Sequence, residues 1–77
     1  MTEPAWWPQI LSATSLRRQA AGMLLAQATP SVVRGTLRLE FPRTGLVTAW
    51  RDSRAEAALE GALAHYGWAM PIEVTEA

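Results

Sequence analysis

The stretch that decides the fold reads RGTLRLEFP at residues 34–42, SRAEAALEGALAHYG at residues 53–67 and MPIEV at residues 70–74. The first segment alternates apolar and polar residues, which predicts a strand with one buried and one open face. The second has helical apolar spacing and ends at Gly67, which predicts an amphipathic helix. The third predicts a returning strand that begins at Pro71 or lies at a sheet edge. This order predicts a small open α/β sandwich.

Local signals define the ends of these elements. Arg34-Gly35 predicts a tight hairpin turn after a strand at Val32-Val33, with Gly35 free to take a positive φ. The S-x-x-E pattern from Ser53 to Glu56 predicts a capping box at the start of the second helix. That helix has a predicted apolar stripe of Ala55, Leu59, Ala62, Leu63 and Tyr66.

The N-terminal third is strongly helical from Gln9 to Ala28, and Pro8 suits a first helical turn. The hydroxyl residues from Ser12 to Ser15 predict a bend or a restart in this helix. Thr29-Pro30 predicts its end, because the residue before proline avoids the α conformation. The expected apolar stripe, at rough i, i+3, i+4 spacing, comprises Ile10, Ala13, Leu16, Ala20, Met23, Leu24 and Gln27.

The segment from Thr44 to Arg51 is ambiguous, because TGLVTAW suits a strand by propensity and a short helix by pattern. We favour the short helix, with Leu46, Val47 and Trp50 on one side.

Length and composition predict one domain over residues 1–77, with residues 1–5 disordered and residues 74–77 a frayed tail. The hydrophobic content of 49% suffices for a globular core, and the absence of cysteine excludes disulfides. The sequence shows neither an apolar run of about 20 residues nor a signal-peptide pattern, so a cytoplasmic location is expected by default.

Charge argues against a dedicated nucleic-acid binder. Seven arginines balance seven acidic residues, whereas phosphate binding usually needs a basic excess. Arg34, Arg38 and Arg43 lie on or beside the predicted open sheet face, where they form either a solvated surface, which we favour, or a phosphate-tracking groove. The sequence has no Gly-rich phosphate loop and no GXXG loop of the KH type.

Candidate catalytic groups are few. His65 is the sole histidine, which favours a surface residue at a helix end over a metal ligand. Asp52, Glu56 and Glu60 could do acid–base work, but they equally suit the first half of a helix. We therefore expect no enzyme activity, no metal site and no cofactor.

Four tryptophans are many for 77 residues. Each can fill a thin core or, where exposed, anchor a protein partner. Adjacent tryptophans on one element cannot easily both face inward, so one of the first two is expected to be exposed. The core is the favoured place for the last two. The residues considered for partner binding are Trp6, Trp7, Trp50 and Trp68, together with Arg51 and Arg54 beside the second helix.

The order of these signals resembles the small C-terminal domain of the bacterial DNA polymerase III gamma/tau subunit, which belongs to the clamp loader. The resemblance extends from Trp6 to Val74. Its matching residues are Trp6 or Trp7; Gly35, Leu37, Leu39 and Phe41; Leu59, Leu63 and Gly67; and Pro71, Ile72 and Val74. It implies an α+β, truncated KH-like fold of helix–hairpin–helix–strand order, with about three strands and two to three helices.

The resemblance also implies a function, namely a non-catalytic interaction domain that tethers the replicative polymerase catalytic subunit or another replisome protein. The alternative is a small module that binds single-stranded nucleic acid on the open sheet face. A small enzyme is the weakest reading, because 77 residues can hardly enclose a pocket. No membrane partner is expected.

Overall fold

The computed structural model describes residues 4–77, in which the chain forms four helices and three strands. One mixed sheet has the order β1-β2-β3, with β1 antiparallel and β3 parallel to β2. The predicted α+β sandwich with three strands is therefore confirmed. The elements are α1 (Trp7–Arg17), α2 (Gln19–Leu25), β1 (Thr29–Val33), β2 (Thr36–Phe41), α3 (Thr44–Asp52), α4 (Glu56–His65) and β3 (Ile72–Glu76).

The central strand β2 provides the inner face of the sheet. Leu37, Leu39 and Phe41 are fully buried beneath the helices, whereas the alternate residues face the open side. Burial of each such side chain stabilises the fold by about 1.5–3 kcal/mol. The sheet is covered on one face only, as the alternating pattern predicts.

The β1–β2 connection is the predicted tight turn. Arg34 and Gly35 have φ values of 52° and 76°, which are the two positive values of a type I′ hairpin. The turn sets Val33 opposite Thr36, and this register carries the inward residues of β2 to the core face.

The long N-terminal helix divides at Arg18, not at the hydroxyl residues. Thr14 and Ser15 donate hydrogen bonds to the carbonyls of Ile10 and Leu11 at 2.8 and 2.9 Å, so the helix continues through them. Arg18 takes an extended conformation (φ −159°, ψ 109°) that ends α1 and begins α2. The structure therefore has four helices where the sequence predicted two or three.

The break lets α2 fold back onto α1 at Gly22. A methyl group at this glycine would lie 2.8 Å from Ser15 Cα. We expect Gly22→Ala to lower the free energy of unfolding by about 1–3 kcal/mol in a urea titration, because the backbone must move. The matched control is Gly45→Ala in α3, where nothing lies within 4 Å of an added methyl group. Equal effects of the two substitutions would contradict this close approach.

The segment after β2 is the predicted short helix, α3, with Val47 and Trp50 buried. The predicted capping box is wrong. Ser53 ends α3 and its hydroxyl donates to the Trp50 carbonyl, while Ala55 is the N-cap of α4 without a side-chain cap. Arg54, in the left-handed region at φ 57°, turns the chain between the two helices.

The last strand lies at the sheet edge and begins directly after Pro71, as predicted. The expected frayed tail over residues 74–77 is ordered instead. Thr44 Oγ1 donates to Glu76 Oε2 at 2.5 Å, and the Ala77 amide donates to the Phe41 carbonyl at 2.8 Å. Of the N-terminal residues predicted to be disordered, 1–3 lie outside the described part of the chain. No helix within residues 4–77 has the length and apolar character to cross a membrane.

Candidate functional site

Aromatic side chains form a continuous row at one end of the helical layer. The rings of Tyr66 and Trp68 stack, with centroids 5.0 Å apart and planes 15° apart. Trp6 packs on Trp68 at 5.5 Å, and the buried Trp7 lies 6.3 Å beyond Trp6. Tyr66 is 41% exposed, while Trp6 and Trp68 are half-buried. We call Trp6, Tyr66 and Trp68 the aromatic face.

The C-terminus of α4 positions this face. Gly67 has φ 75°, and its amide donates to the Ala64 carbonyl at 3.0 Å. The Trp68 amide donates to the Leu63 carbonyl at 2.9 Å. These two bonds form a Schellman motif, which satisfies the last carbonyls of the helix and reverses the chain. The reversal places the Tyr66 and Trp68 rings against each other.

A substitution at Gly67 tests this arrangement. An added methyl group would meet nothing within 4 Å, so Gly67→Ala carries only the strain of a positive φ. We expect a loss of about 1 kcal/mol in the free energy of unfolding, with a change in tryptophan fluorescence as Trp68 moves. Gly35→Ala is the matched control, since it has the same φ strain and equal space. We expect it to lower stability without changing the fluorescence of the native state; a change equal to that of Gly67→Ala would contradict the role of the motif.

An open groove of about 590 Å³ adjoins the aromatic face, between α1 and the end of α4. Helix α4 supplies His65 and Tyr66, whose rings meet edge to face at 5.3 Å. Leu16 is 88% exposed, which is far more than a core position of α1 permits. The groove residues of α1 are Pro8, Gln9, Ser12, Ala13, Leu16 and Arg17. We call this the α1–α4 groove.

Arg17 marks one end of the groove. Its side chain passes Gly61 of α4, where an added methyl group would lie 3.6 Å from the Arg17 Cδ, Nε and Cζ atoms. That distance is ordinary van der Waals contact, so the Arg17 side chain lies along α4 at Gly61. Within residues 4–77 the single ion pair closer than 4.0 Å joins Arg38 and Glu73, so Arg17 has no carboxylate partner there.

Two of the four tryptophans belong to the core. Trp7 is 4% exposed and Trp50 is 1% exposed, so neither side chain can contact a partner in this fold. Trp50 therefore occupies the core position that the sequence favoured for it, and neither Trp7 nor Trp50 remains a candidate for partner contact. Trp50 packs on Phe41 at 5.8 Å, and its buried indole N–H has no hydrogen-bond partner. Of the adjacent pair, Trp7 is buried and Trp6 is half-buried rather than fully exposed.

The two arginines predicted beside the second helix lie apart from the groove lining. Arg51 is in the last turn of α3, and Arg54 is in the turn that follows. Both are exposed. The nearby Arg18 guanidinium donates to the Ser53 carbonyl, which ties the start of α2 to this turn.

The open sheet face has no excess of basic residues. Arg38 Nε lies 3.4 Å from Glu73 Oε1 on the neighbouring strand, and Glu40 is exposed on β2. Arg34 occupies the hairpin turn, and Arg43 precedes α3 beyond the end of β2. The three arginines therefore do not form a row over this face.

The groove offers apolar contact and hydrogen bonding. One imidazole, one guanidinium, one phenol, one amide and one hydroxyl line it, and no carboxylate is among its described lining residues. Glu60 lies elsewhere, in a shallow depression beside Met70.

Tyr66 and Leu16 were predicted to lie on the buried stripes of their helices, and Arg17 was not predicted to be a site residue. The signal for Tyr66 is its place one residue before Gly67 and two before Trp68, because a helix-ending glycine brings its neighbours together. Leu16 lies six residues after Ile10 and two after Thr14, so the helical period places it on the side of α1 away from these buried residues.

Comparison with protein-family models, with curated proteins and with solved structures finds no match for this chain. The resemblance to the gamma/tau C-terminal domain therefore stays a prediction from the sequence pattern.

Proposed function

We propose that this chain is a non-catalytic protein-interaction domain that docks its partner on the aromatic face and the adjoining α1–α4 groove. The observation that carries the proposal is the row formed by the exposed Tyr66 and the half-buried Trp6 and Trp68, beside an open groove lined by the exposed Leu16. Aromatic side chains held rigidly at a surface are the usual anchors of protein interfaces.

The position of the aromatic face favours a role in partner binding over a purely structural role. Trp6 and Trp68 are half-buried and pack against the core, and Trp6 adjoins the buried Trp7, so the rings of the aromatic face lose little freedom when a partner covers them. A monomeric protein seldom leaves large apolar side chains together at its surface without a partner.

The partner that the sequence resemblance implies is the replicative polymerase catalytic subunit or another replisome protein, met in the cytoplasm. On this proposal the domain tethers that protein to the clamp loader and performs no chemistry itself. The open sheet face has Arg38 with Glu40 and Glu73 and so has no basic excess, which makes single-stranded nucleic acid the weaker candidate.

Isothermal titration calorimetry of the chain against the polymerase catalytic subunit tests this function. We expect saturable binding at micromolar concentrations or tighter, and no binding of single-stranded oligonucleotides under the same conditions. Absence of binding at 100 µM to the polymerase subunit and to other replisome proteins would contradict the tethering role. Oligonucleotide binding with a steep salt dependence would favour the alternative.

A further inference from the structure

The inference rests on the proposed function and concerns the chemistry of the partner. The α1–α4 groove is asymmetric in charge. Arg17, at one end, has no carboxylate within 4.0 Å among the described residues, and His65 contributes an imidazole ring. The remaining lining is apolar or neutral, and its exposed large hydrophobic side chains are Leu16 and Tyr66.

We propose that the α1–α4 groove binds an amphipathic helical segment of the partner whose apolar side chains cover Leu16 and Tyr66 and whose carboxylate pairs with Arg17. A guanidinium that becomes partly desolvated needs an anion, and a carboxylate provides charge-assisted hydrogen bonds to it. Charge complementarity therefore selects an acidic segment over a basic one.

The dimensions of the groove suit a short helix. Its α1 side runs from Pro8 to Arg17, which at 1.5 Å per residue is about 13 Å. A partner helix of about nine residues, or two and a half turns, has the same length and can present two apolar anchors on one face. Gln9 and Ser12, on the α1 side, can hydrogen-bond the polar edge of that helix.

A second copy of this chain fits the groove less well. A two-fold dimer through this face would bring the same surface of each copy together, so two cationic grooves would face each other. Within the described groove lining no carboxylate is present to neutralise either arginine. Charge therefore disfavours self-association here.

Selection from a phage-displayed library of random 16-residue peptides on the immobilised chain tests the inference. We expect enriched peptides to carry apolar residues at i, i+3 or i+4 and an Asp or Glu about one turn away. Selection on Arg17→Glu should enrich Lys or Arg at the same place. Enrichment without a charge preference, or no enrichment at all, would overturn the inference.

The affinities of variants for the enriched acidic peptides show whether Arg17 contacts the peptide. We expect Arg17→Glu to weaken their binding about tenfold, with a difference that shrinks as salt is raised. Arg34→Glu changes the net charge equally but lies in the hairpin turn, so it should leave binding unchanged. Arg17→Gln, which introduces no repulsion, should weaken binding by a smaller factor, and unchanged melting temperatures would show that each variant folds. Equal affinity of Arg17→Glu and the unsubstituted chain would overturn the inference.

Two binding results distinguish a failure of the acidic-helix inference from a failure of the proposed tethering role. If Tyr66→Ala abolishes binding of the polymerase catalytic subunit while Arg17→Glu leaves it unchanged, the interaction surface stands and the acidic-helix inference is wrong. If acidic peptides bind through Arg17 but the polymerase subunit does not, the inference stands and the tethering role is wrong. A dimer at 100 µM that Leu16→Asp dissociates would assign the groove to a second copy and overturn the inference.

Discussion

Replacement of Trp50 by alanine is expected to lower the free energy of unfolding by about 3–5 kcal/mol. Trp50 is 1% exposed, and it packs on Phe41 where α3 covers the sheet. Its removal leaves a cavity that the fully buried neighbours cannot readily fill. A domain of this size has a total stability of only about 4–12 kcal/mol, so the variant should be largely unfolded on modest heating.

Urea unfolding followed by far-ultraviolet circular dichroism measures this loss. Trp50→Phe is the control, because it keeps a ring beside Phe41 and removes the indole N–H that has no hydrogen-bond partner. We expect its loss to be smaller, about 1–2 kcal/mol. A loss below 1 kcal/mol for Trp50→Ala would contradict the assignment of this tryptophan to the core.

Replacement of Tyr66 by alanine is expected to weaken partner binding by about 2 kcal/mol or more, which is roughly thirtyfold. Tyr66 combines the stacked contact with Trp68 and a place in the groove lining, so its truncation removes an anchor common to both surfaces. It is 41% exposed, so stability should change much less than binding does. Calorimetry with the polymerase catalytic subunit gives the affinity, and thermal unfolding gives the stability.

Leu16→Ala and Met23→Ala form a matched pair for the same surface. Both side chains are exposed on helices, at 88% and 65%, but Leu16 alone of the two lines the groove. We expect Leu16→Ala to weaken binding about fivefold or more and Met23→Ala to leave it unchanged. Equal effects of the two substitutions would place the interface elsewhere.

The sheet and its covering helices were largely predictable because local signals and burial agree in them. The alternation from Leu37 to Phe41 predicts the buried face of β2, and Arg34-Gly35 predicts the hairpin that sets its register. The apolar repeat of Ala55, Leu59 and Leu63 predicts the buried side of α4. In each case one short stretch specifies both conformation and orientation.

The N-terminal helices were not predictable in the same way. The sequence predicted a bend or a restart between Ser12 and Ser15, whereas the break lies at Arg18 and separates α1 from α2. Helix α1 buries Ile10 and Thr14, so Leu16, two residues after Thr14, falls on its outer side. The break depends on tertiary contacts such as Gly22 on Ser15, which no local pattern contains.

The aromatic face was half predictable. The count of tryptophans indicated a surface role for some of them, and Trp6 and Trp68 do meet there. Which tryptophans reach the surface depends on how the helices pack in the folded chain, since Trp7 and Trp50 fill the core instead. The part played by Tyr66 follows from the reversal at Gly67, where the sequence predicts the helix end but not the stacking of Tyr66 on Trp68.

The four indole N–H signals in a ¹H–¹⁵N spectrum, followed while the polymerase catalytic subunit is added, test docking on the aromatic face. We expect the Trp6 and Trp68 signals to shift or broaden, while those of the buried Trp7 and Trp50 change little. Unchanged Trp6 and Trp68 signals at saturation, or changes confined to the open sheet face around Arg38, would contradict it.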